Sequence, residues 1–381
     1  MKKLFTALIV CFPILSVYSS SLQQVSIADL CLIIFTFYIV VDFLVKGGKT
    51  LKTVIPILVF LIYILVTFLV QIPLSTGVGI FSTSRYLLYL FVLVIGVRYF
   101  VFDYGINLIK YLTLTISAYV ILQYLIFILF SKTLPWHISV LPIMDNNFIE
   151  IQYSLHYLTF YRPTGIFLEP THFAQFCVVY LTYLVFDENQ KNNYLQKGII
   201  TLAILCSGSS LGFIFLLLVY GLKVVQGVYK ISIKKIIAFI VLLISISILF
   251  FNVPYFMNII NRMQSDTGQF NGSAMGYRFD SLKMLFNDQR MWAYKLIGLG
   301  RSTEEAYFTG IFYILNAHGI IGLIIYVMMC FKIWISNGDF KRNLVLIVFI
   351  LSIGSEYICN FGILFYFMFI IPNEKVKKMY L

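Results

Sequence analysis

The stretch that decides the fold is residues 198–226, GIITLAILCSGSSLGFIFLLLVYGLKVVQ, an apolar run that small polar residues interrupt near its middle. One transmembrane helix needs about 20 apolar residues, so this run is longer than a single crossing requires. The run contains Lys223 near its end, and Lys230, Lys234 and Lys235 follow it. Because Lys and Arg beside spans stay in the cytoplasm, the number of crossings within the run decides on which side these lysines lie.

The rest of the chain has the same character. Hydrophobic residues make up 60% of it and charged residues only 12%, whereas about a quarter of a soluble protein is charged. Apolar runs fall near 4–20, 26–45, 54–71, 85–101, 108–130, 166–186, 198–226, 236–252, 309–335 and 344–371. The sequence therefore predicts an all-α fold, a polytopic transmembrane helical bundle that forms a single integral membrane domain over residues 1–381.

Charge distribution sets the topology. With Lys2 and Lys3 inside, the first six spans follow the positive-inside rule, and the turns at 21–25 and 72–84 lie outside. Two short spans joined at residues 206–210 return the lysines after 198–226 to the inside. Two short spans that meet near residues 354–356 do the same for the basic C-terminal tail. We therefore expect twelve spans with both termini cytoplasmic, with ten as the alternative.

This topology leaves two long outer loops, at about 131–165 and 253–308. The net charge of +12 is then a matter of topology, and it does not indicate nucleic-acid binding. The six cysteines lie in or beside apolar runs without paired spacing. There is no phosphate loop, nucleotide fingerprint, metal-ligand spacing or nucleophile elbow. Any energy for a reaction must therefore come with the substrate.

The first candidate constellation is RPTGIFLEPTHFA at residues 162–174, where the first outer loop enters a span. Arg162 is a permanent cation able to bind phosphate or carboxylate through two parallel hydrogen bonds. Glu169, just before Pro170, is either a device that starts a helix or a functional acid at the membrane edge. His172 is a second candidate, which a local hydrogen bond would also explain.

The second constellation begins at Arg278, in the second outer loop. Apolar residues recur at helical spacing over 279–286, which predicts a short helix on the membrane surface. Arg278 at its start could bind either a lipid-linked pyrophosphate or lipid headgroups. Arg290 and Arg301 are further candidates for substrate binding, but a solvated or headgroup-facing position is the favoured interpretation of each. The serines and glycines of 207–212 favour a structural break over a catalytic serine.

These motifs resemble a known family. The pattern at 162–174 resembles the outer-loop motif of Wzy-type bacterial polysaccharide polymerases, and the break at 207–212 is similar to their short paired helices. The run from Arg278 through Gly298-Leu299-Gly300 to residues 319–323, GIIGL, resembles the second long loop and following span that these enzymes share with O-antigen ligases.

The resemblance implies a multi-pass glycosyltransferase of the bacterial cytoplasmic membrane, acting at its outer face. Such enzymes join oligosaccharide repeat units carried on undecaprenyl pyrophosphate into O-antigen, capsule or exopolysaccharide. They need no cofactor, metal or sugar nucleotide, because the pyrophosphate lipid is the leaving group. Arg162 and Arg278 match the family's outer-loop arginines, and Glu169, then His172, would polarise the acceptor hydroxyl. The implied partners are the lipid-linked substrate, membrane lipids, a chain-length regulator and a flippase.

Two alternatives remain. O-antigen ligases carry a His-Asn pair about ten residues before Gly-x-x-Gly, whereas this chain has residues 307–309, YFT, and His318 directly before Gly319 is not an obvious substitute. A flippase for the same lipid-linked oligosaccharide is the alternative from another class. Flippases usually show similarity between their halves and charged or broken spans, and the two halves of this sequence show no such similarity.

The twelve-span topology predicts that a reporter fused after Tyr229 lies in the cytoplasm. A reporter that is active only in the cytoplasm should therefore give a signal at this position. A reporter that is active only outside should give none. Activity confined to the outer side at this position would contradict twelve spans.

Overall fold

The structure, a computed structural model, describes residues 1–20, 25–46, 52–74, 79–138, 140–144, 161–190, 192–227, 292–301 and 309–371. These ranges are mainly helical, and their only strand-like pairings are two isolated bridges. The α-helices within them are α1 (Lys2–Leu15), α2 (Ile27–Val45), α3 (Ile55–Leu74), α4 (Ile80–Gly96), α5 (Phe102–Phe130), α6 (Pro170–Phe186), α7 (Tyr194–Cys206), α8 (Ser210–Gly227), α9 (Trp292–Ile297), α10 (Gly310–Ile335), α11 (Asp339–Gly354) and α12 (Gly362–Ile370).

Five of these helices are long and apolar enough to cross a bilayer, namely α2, α3, α4, α5 and α10. Large apolar side chains on them stay exposed; Phe37 of α2, for example, is 75% exposed. Such surfaces are typical of helices that face lipid. The predicted all-α, multi-pass membrane fold is confirmed in this form, while the count of twelve spans and the side of the termini stay predictions.

The break predicted within 198–226 is confirmed. Helix α7 ends at Cys206 and α8 begins at Ser210, with Gly208 between them in the left-handed region at φ +60°. The hydroxyl of Ser209 accepts a hydrogen bond from the Gly212 N–H at 3.0 Å and so caps the new helix. With 13 residues, α7 is about 20 Å long, less than the bilayer core of about 30 Å.

The break predicted near residues 354–356 is also confirmed. Helix α11 ends at Gly354, a 3-10 turn covers Glu356–Cys359, and α12 follows with only nine residues. Such a helix is about 14 Å long and cannot cross a bilayer alone. Every residue of α12 is buried, and the helix packs against α1, α4 and α11. Neighbouring helices therefore cover it, as a short membrane-embedded segment requires.

The chain divides into two compact units, residues 1–111, 141–144 and 281–381 in the first and 112–140 and 145–280 in the second. In the first unit, α10 packs against α3, α9 and α11, while α12 lies among α1, α4 and α11. In the second unit, α6 packs against both α7 and α8. The single membrane domain expected from the sequence stays a prediction.

Much of the two predicted outer loops falls outside the described residues. The first loop is described at 131–138, 140–144 and 161–165, and the second only at 292–301. The apolar run at 236–252 and the surface helix predicted over 279–286 lie outside the described part of the chain.

Candidate anion-binding sites

The loop that carries Arg162 is fixed by a glutamine from α5. The Gly165 N–H donates to Oε1 of Gln123 at 2.9 Å, and Nε2 of Gln123 donates to the Gly165 carbonyl at 3.2 Å. Gly165 has φ +67°, and a Cβ there would lie 2.7 Å from a methyl of Ile116. Only glycine fits this turn without strain, which explains its place in the motif three residues after Arg162.

The residue before Arg162 is anchored separately. Tyr161 is buried and stacks on Phe127, with 4.5 Å between the ring centroids. Burial, together with nearby Tyr119, raises the pKa of Tyr161 to about 12, so its phenol stays neutral at ordinary pH. Anchors on both sides therefore restrict the backbone position of Arg162.

Arg162 contacts the break between α7 and α8. Its Nε donates to the carbonyl oxygen of Gly208 at 3.2 Å, while the side chain is half-buried. Two motifs that the sequence analysis treated separately, at 162–174 and 207–212, thus meet in the second unit. This hydrogen bond involves one nitrogen of the guanidinium. It satisfies the Gly208 carbonyl, a backbone group at the break between the two helices.

Glu169 occupies the N-cap position of α6, directly before Pro170 at the first helical position. Its side chain accepts no capping hydrogen bond and, among the described residues, forms no ion pair. The half-buried carboxylate can still interact favourably with the helix dipole, but it does not cap the helix by hydrogen bonding. His172 lies in the first turn of the same helix, and its backbone N–H donates to the Glu169 carbonyl at 3.1 Å.

A second candidate site, in the first unit, is built on close contact between two segments of backbone. Gly298 and Gly300 have φ of +80° and +88°, and α10 is kinked at Gly319, where φ is +68°. The N–H of Leu299 donates to the carbonyl of Asn316 at 2.8 Å, and that of Gly300 donates to Ala317 at 3.0 Å. A Cβ on Gly298 would lie 2.4 Å from the backbone of Ala317, so the approach requires glycine.

Side chains of α3 complete the hydrogen bonding at the kink. Nε2 of Gln71 lies 2.9–3.1 Å from the carbonyls of Ile297, Gly298 and Ala317. The hydroxyl of Tyr63 donates to the carbonyl of His318 at 2.7 Å. Backbone groups that the kink removes from the helix are therefore satisfied by protein, as irregular backbone at membrane depth requires.

Arg301 follows this contact directly and is buried, with 4% of its surface exposed. Its guanidinium carbon lies 4.4 Å from the ring centroid of Tyr86 and 4.9 Å from that of Tyr313. Nε lies 3.2 Å from the hydroxyl of Ser82, to which it donates, and the Arg301 carbonyl accepts from the N–H of Gly79 at 2.5 Å. The solvated or headgroup-facing position that the sequence favoured for Arg301 is therefore wrong.

No carboxylate among the described residues lies within ion-pair distance of this guanidinium. Nη1 of Arg301 is buried without a hydrogen-bond partner there, and the side chain forms no ion pair with them. The buried carboxylate of Asp29 is already engaged by Arg85 at 3.4 Å and by the hydroxyl of Tyr89 at 2.6 Å. A buried charge without a counter-ion costs several kcal/mol, so the surroundings of Arg301, as far as the described residues show them, make it a candidate for binding an anion.

His318 lies beside the same aromatic ring. It is 2% exposed, and its ring stacks on Tyr86 with 6.4 Å between centroids and 13° between planes. Neither ring nitrogen has a hydrogen-bond partner among the residues that the structure describes. Tyr86 therefore contacts both a cation and an imidazole for which the described residues supply no counter-ion and no hydrogen-bond partner, respectively.

The remaining predicted site residues, Arg278 and Arg290, lie outside the described residues. Over the described ranges, no group of three or more His, Cys, Asp or Glu side chains could hold a metal ion. The sequence analysis did not identify Tyr86 or Tyr313, and it set His318 aside as no obvious substitute for the ligase histidine. The signal for His318 was its place directly before Gly319, which is where the helix kinks.

No known family model matches the chain, and no curated protein matches it at a significant level. The function is therefore argued from the resemblance of its motifs and from the chemistry of these two sites.

The Gly298 contact predicts that Gly298→Ala is strongly destabilising. The substitution combines a left-handed backbone with a clash against the Ala317 backbone, and we expect a loss of about 2 kcal/mol or more. Gly198→Ala is the matched control, since an added Cβ there meets nothing within 4 Å. Thermal unfolding of both variants in detergent measures the difference, and equal melting temperatures would contradict the contact.

Proposed function

We propose that this protein polymerises undecaprenyl-pyrophosphate-linked oligosaccharide repeat units at the outer face of the bacterial cytoplasmic membrane. One observation carries the proposal: a buried guanidinium, that of Arg301, lies between two tyrosine rings without a counter-ion among the described residues. The resemblance of the loop motifs to those of Wzy-type polymerases supports the same activity.

The position of Arg301 suits a substrate that approaches from outside. Ser82, its hydrogen-bond partner, lies in the first turn of α4, which follows the predicted outer turn at 72–84. Tyr313 lies in the first turn of α10, which follows the predicted outer loop at 253–308. Both contacts are with helix ends that the topology assigns to the outer face.

In the proposed reaction, a hydroxyl oxygen of the acceptor sugar attacks the anomeric carbon of the growing chain. The bond from that carbon to the pyrophosphate oxygen breaks, and the pyrophosphate leaves with the electron pair. A base takes the hydroxyl proton. Arg301 would stabilise the charge that develops on the departing pyrophosphate, and a preorganised cation acts strongly where water is excluded.

The other predicted residues keep their proposed roles. Arg162 would bind pyrophosphate or anionic sugars, and Glu169, with His172 second, would polarise the acceptor hydroxyl. The role of Glu169 is supported by its side chain, because the carboxylate accepts no capping hydrogen bond from the start of α6. The proposed binding by Arg278 and Arg290 rests on the resemblance and on their charge.

A ligase-like transfer of a finished glycan is the second candidate. It is favoured by His318, because this histidine contacts the same tyrosine ring as Arg301 and no described residue forms a hydrogen bond with its ring nitrogens. His318 could take the acceptor proton in either reaction. The two candidates differ in product, since a polymerase makes long chains from repeat units alone, whereas a ligase needs a separate acceptor.

Reconstituted protein supplied with lipid-linked repeat units tests the proposal. We expect Arg301→Gln to lower the rate of polymer formation by about 100-fold or more, because one stabilising group of the transition state is lost. Arg301→Lys should fall between this variant and the unaltered protein, since lysine keeps the charge without the planar fork.

Arg98→Gln is the matched control. Arg98 also lies over an aromatic ring, that of Phe43 at 5.7 Å, but the topology places it on the cytoplasmic side. Polymer of normal length from Arg301→Gln would contradict the role of Arg301. If the unaltered protein only translocates single repeat units, it is a flippase and the proposed function is wrong.

A further inference from the structure

An apolar groove of about 290 Å³ is lined by the last turns of α10 and the middle turns of α11. Its lining is apolar and consists of Val327, Cys330, Phe331, Trp334, Val345, Leu346 and Phe349. Phe331, at 59% exposed, forms part of its open side. A groove with these walls is suited to a hydrocarbon chain rather than to a polar ligand.

A cation stands beside this groove without a counter-ion among the described residues. The guanidinium carbon of Arg342 lies 5.6 Å from the ring centroid of Trp334, one of the lining residues. Nε of Arg342 is buried and has no hydrogen-bond partner in the described part of the chain. Asp339 precedes it by one helical turn, but the two side chains form no ion pair.

The groove lies at the end of α10 that the positive-inside rule assigns to the cytoplasm. Exposed Lys332 occupies the last turn of α10, and Lys341 and Arg342 occupy the first turn of α11. Basic pockets between helices on this side of a membrane bind anionic headgroups. The apolar walls and the adjacent cation, which has no counter-ion among the described residues, together match the two parts of one anionic lipid.

We propose that this groove binds an anionic phospholipid, with one acyl chain along the lining residues and the phosphate on Arg342. The inference does not depend on the proposed function. Trp334 lies 15 residues, about 22 Å of helix, beyond the kink of α10 at Gly319, whereas Tyr313 of the Arg301 site lies before that kink. One lipid headgroup therefore cannot occupy both sites, which separates this lipid from a substrate whose pyrophosphate binds at Arg301.

Quenching of Trp334 fluorescence tests the proposal directly. The full chain has three tryptophans, so Trp136→Phe with Trp292→Phe leaves Trp334 as the reporter. The protein is placed in phosphatidylcholine vesicles that contain a small fraction of phosphatidylglycerol brominated on its acyl chains, or the same fraction of brominated phosphatidylcholine. We expect about a fivefold preference of the Trp334 site for the anionic lipid, from one cation near the phosphate.

Arg342→Gln should remove this preference, while Arg98→Gln, the control arginine over Phe43, should leave it unchanged. Val327→Phe, which fills the groove, should lower quenching by both brominated lipids. Equal quenching by the two lipids in the reporter protein, or a preference that survives Arg342→Gln, would overturn the proposal. So would displacement of brominated phosphatidylglycerol by undecaprenyl phosphate at a far lower fraction, because the occupant would then be the polyprenyl lipid.

Discussion

The contact between the backbone of Gly298–Gly300 and the kink of α10 at Gly319 is the constraint on which the first unit depends. Two N–H groups of one segment donate to carbonyls that the kink exposes on the other, and Gln71 and Tyr63 satisfy the carbonyls around them. The contact brings the residue after Gly300 into the protein. Without glycine at these positions, Arg301 could not follow the same path between Tyr86 and Tyr313.

Magnitudes explain why the position of Arg301 indicates binding. A desolvated cation over an aromatic ring gains about 2 kcal/mol, and Arg301 lies over two such rings. Burying a charge without a counter-ion costs several kcal/mol. The two effects are of similar size, so the aromatic rings make the buried cation tolerable without making it a source of stability. A bound anion would add a favourable charge interaction in a medium where such interactions are strong.

The two helix breaks could be predicted from the sequence, but the contacts between segments distant in the chain could not. The positive-inside rule required one more crossing in each of two long apolar runs, which predicted breaks at 206–210 and 354–356. Both breaks are present. Arg162 and the small residues of 207–212 were both identified, yet their hydrogen bond joins positions 46 residues apart, and no local pattern encodes it. Arg301 was identified as a candidate for binding, although a solvated or headgroup-facing position was favoured for it. Its burial follows from glycines whose partner backbone lies in another helix.

The unfolding temperature of the Arg301→Gln variant, with and without ligand, tests the central claim most directly. If Arg301 serves binding, the variant without ligand should melt no lower than the unaltered protein, because a buried charge without a counter-ion among the described residues is gone. Undecaprenyl pyrophosphate should raise the melting temperature of the unaltered protein above the value in uncharged undecaprenol, and this difference should disappear in the variant. A variant that melts well below the unaltered protein, yet keeps the full stabilisation by pyrophosphate, would show that Arg301 is structural and contradict the account.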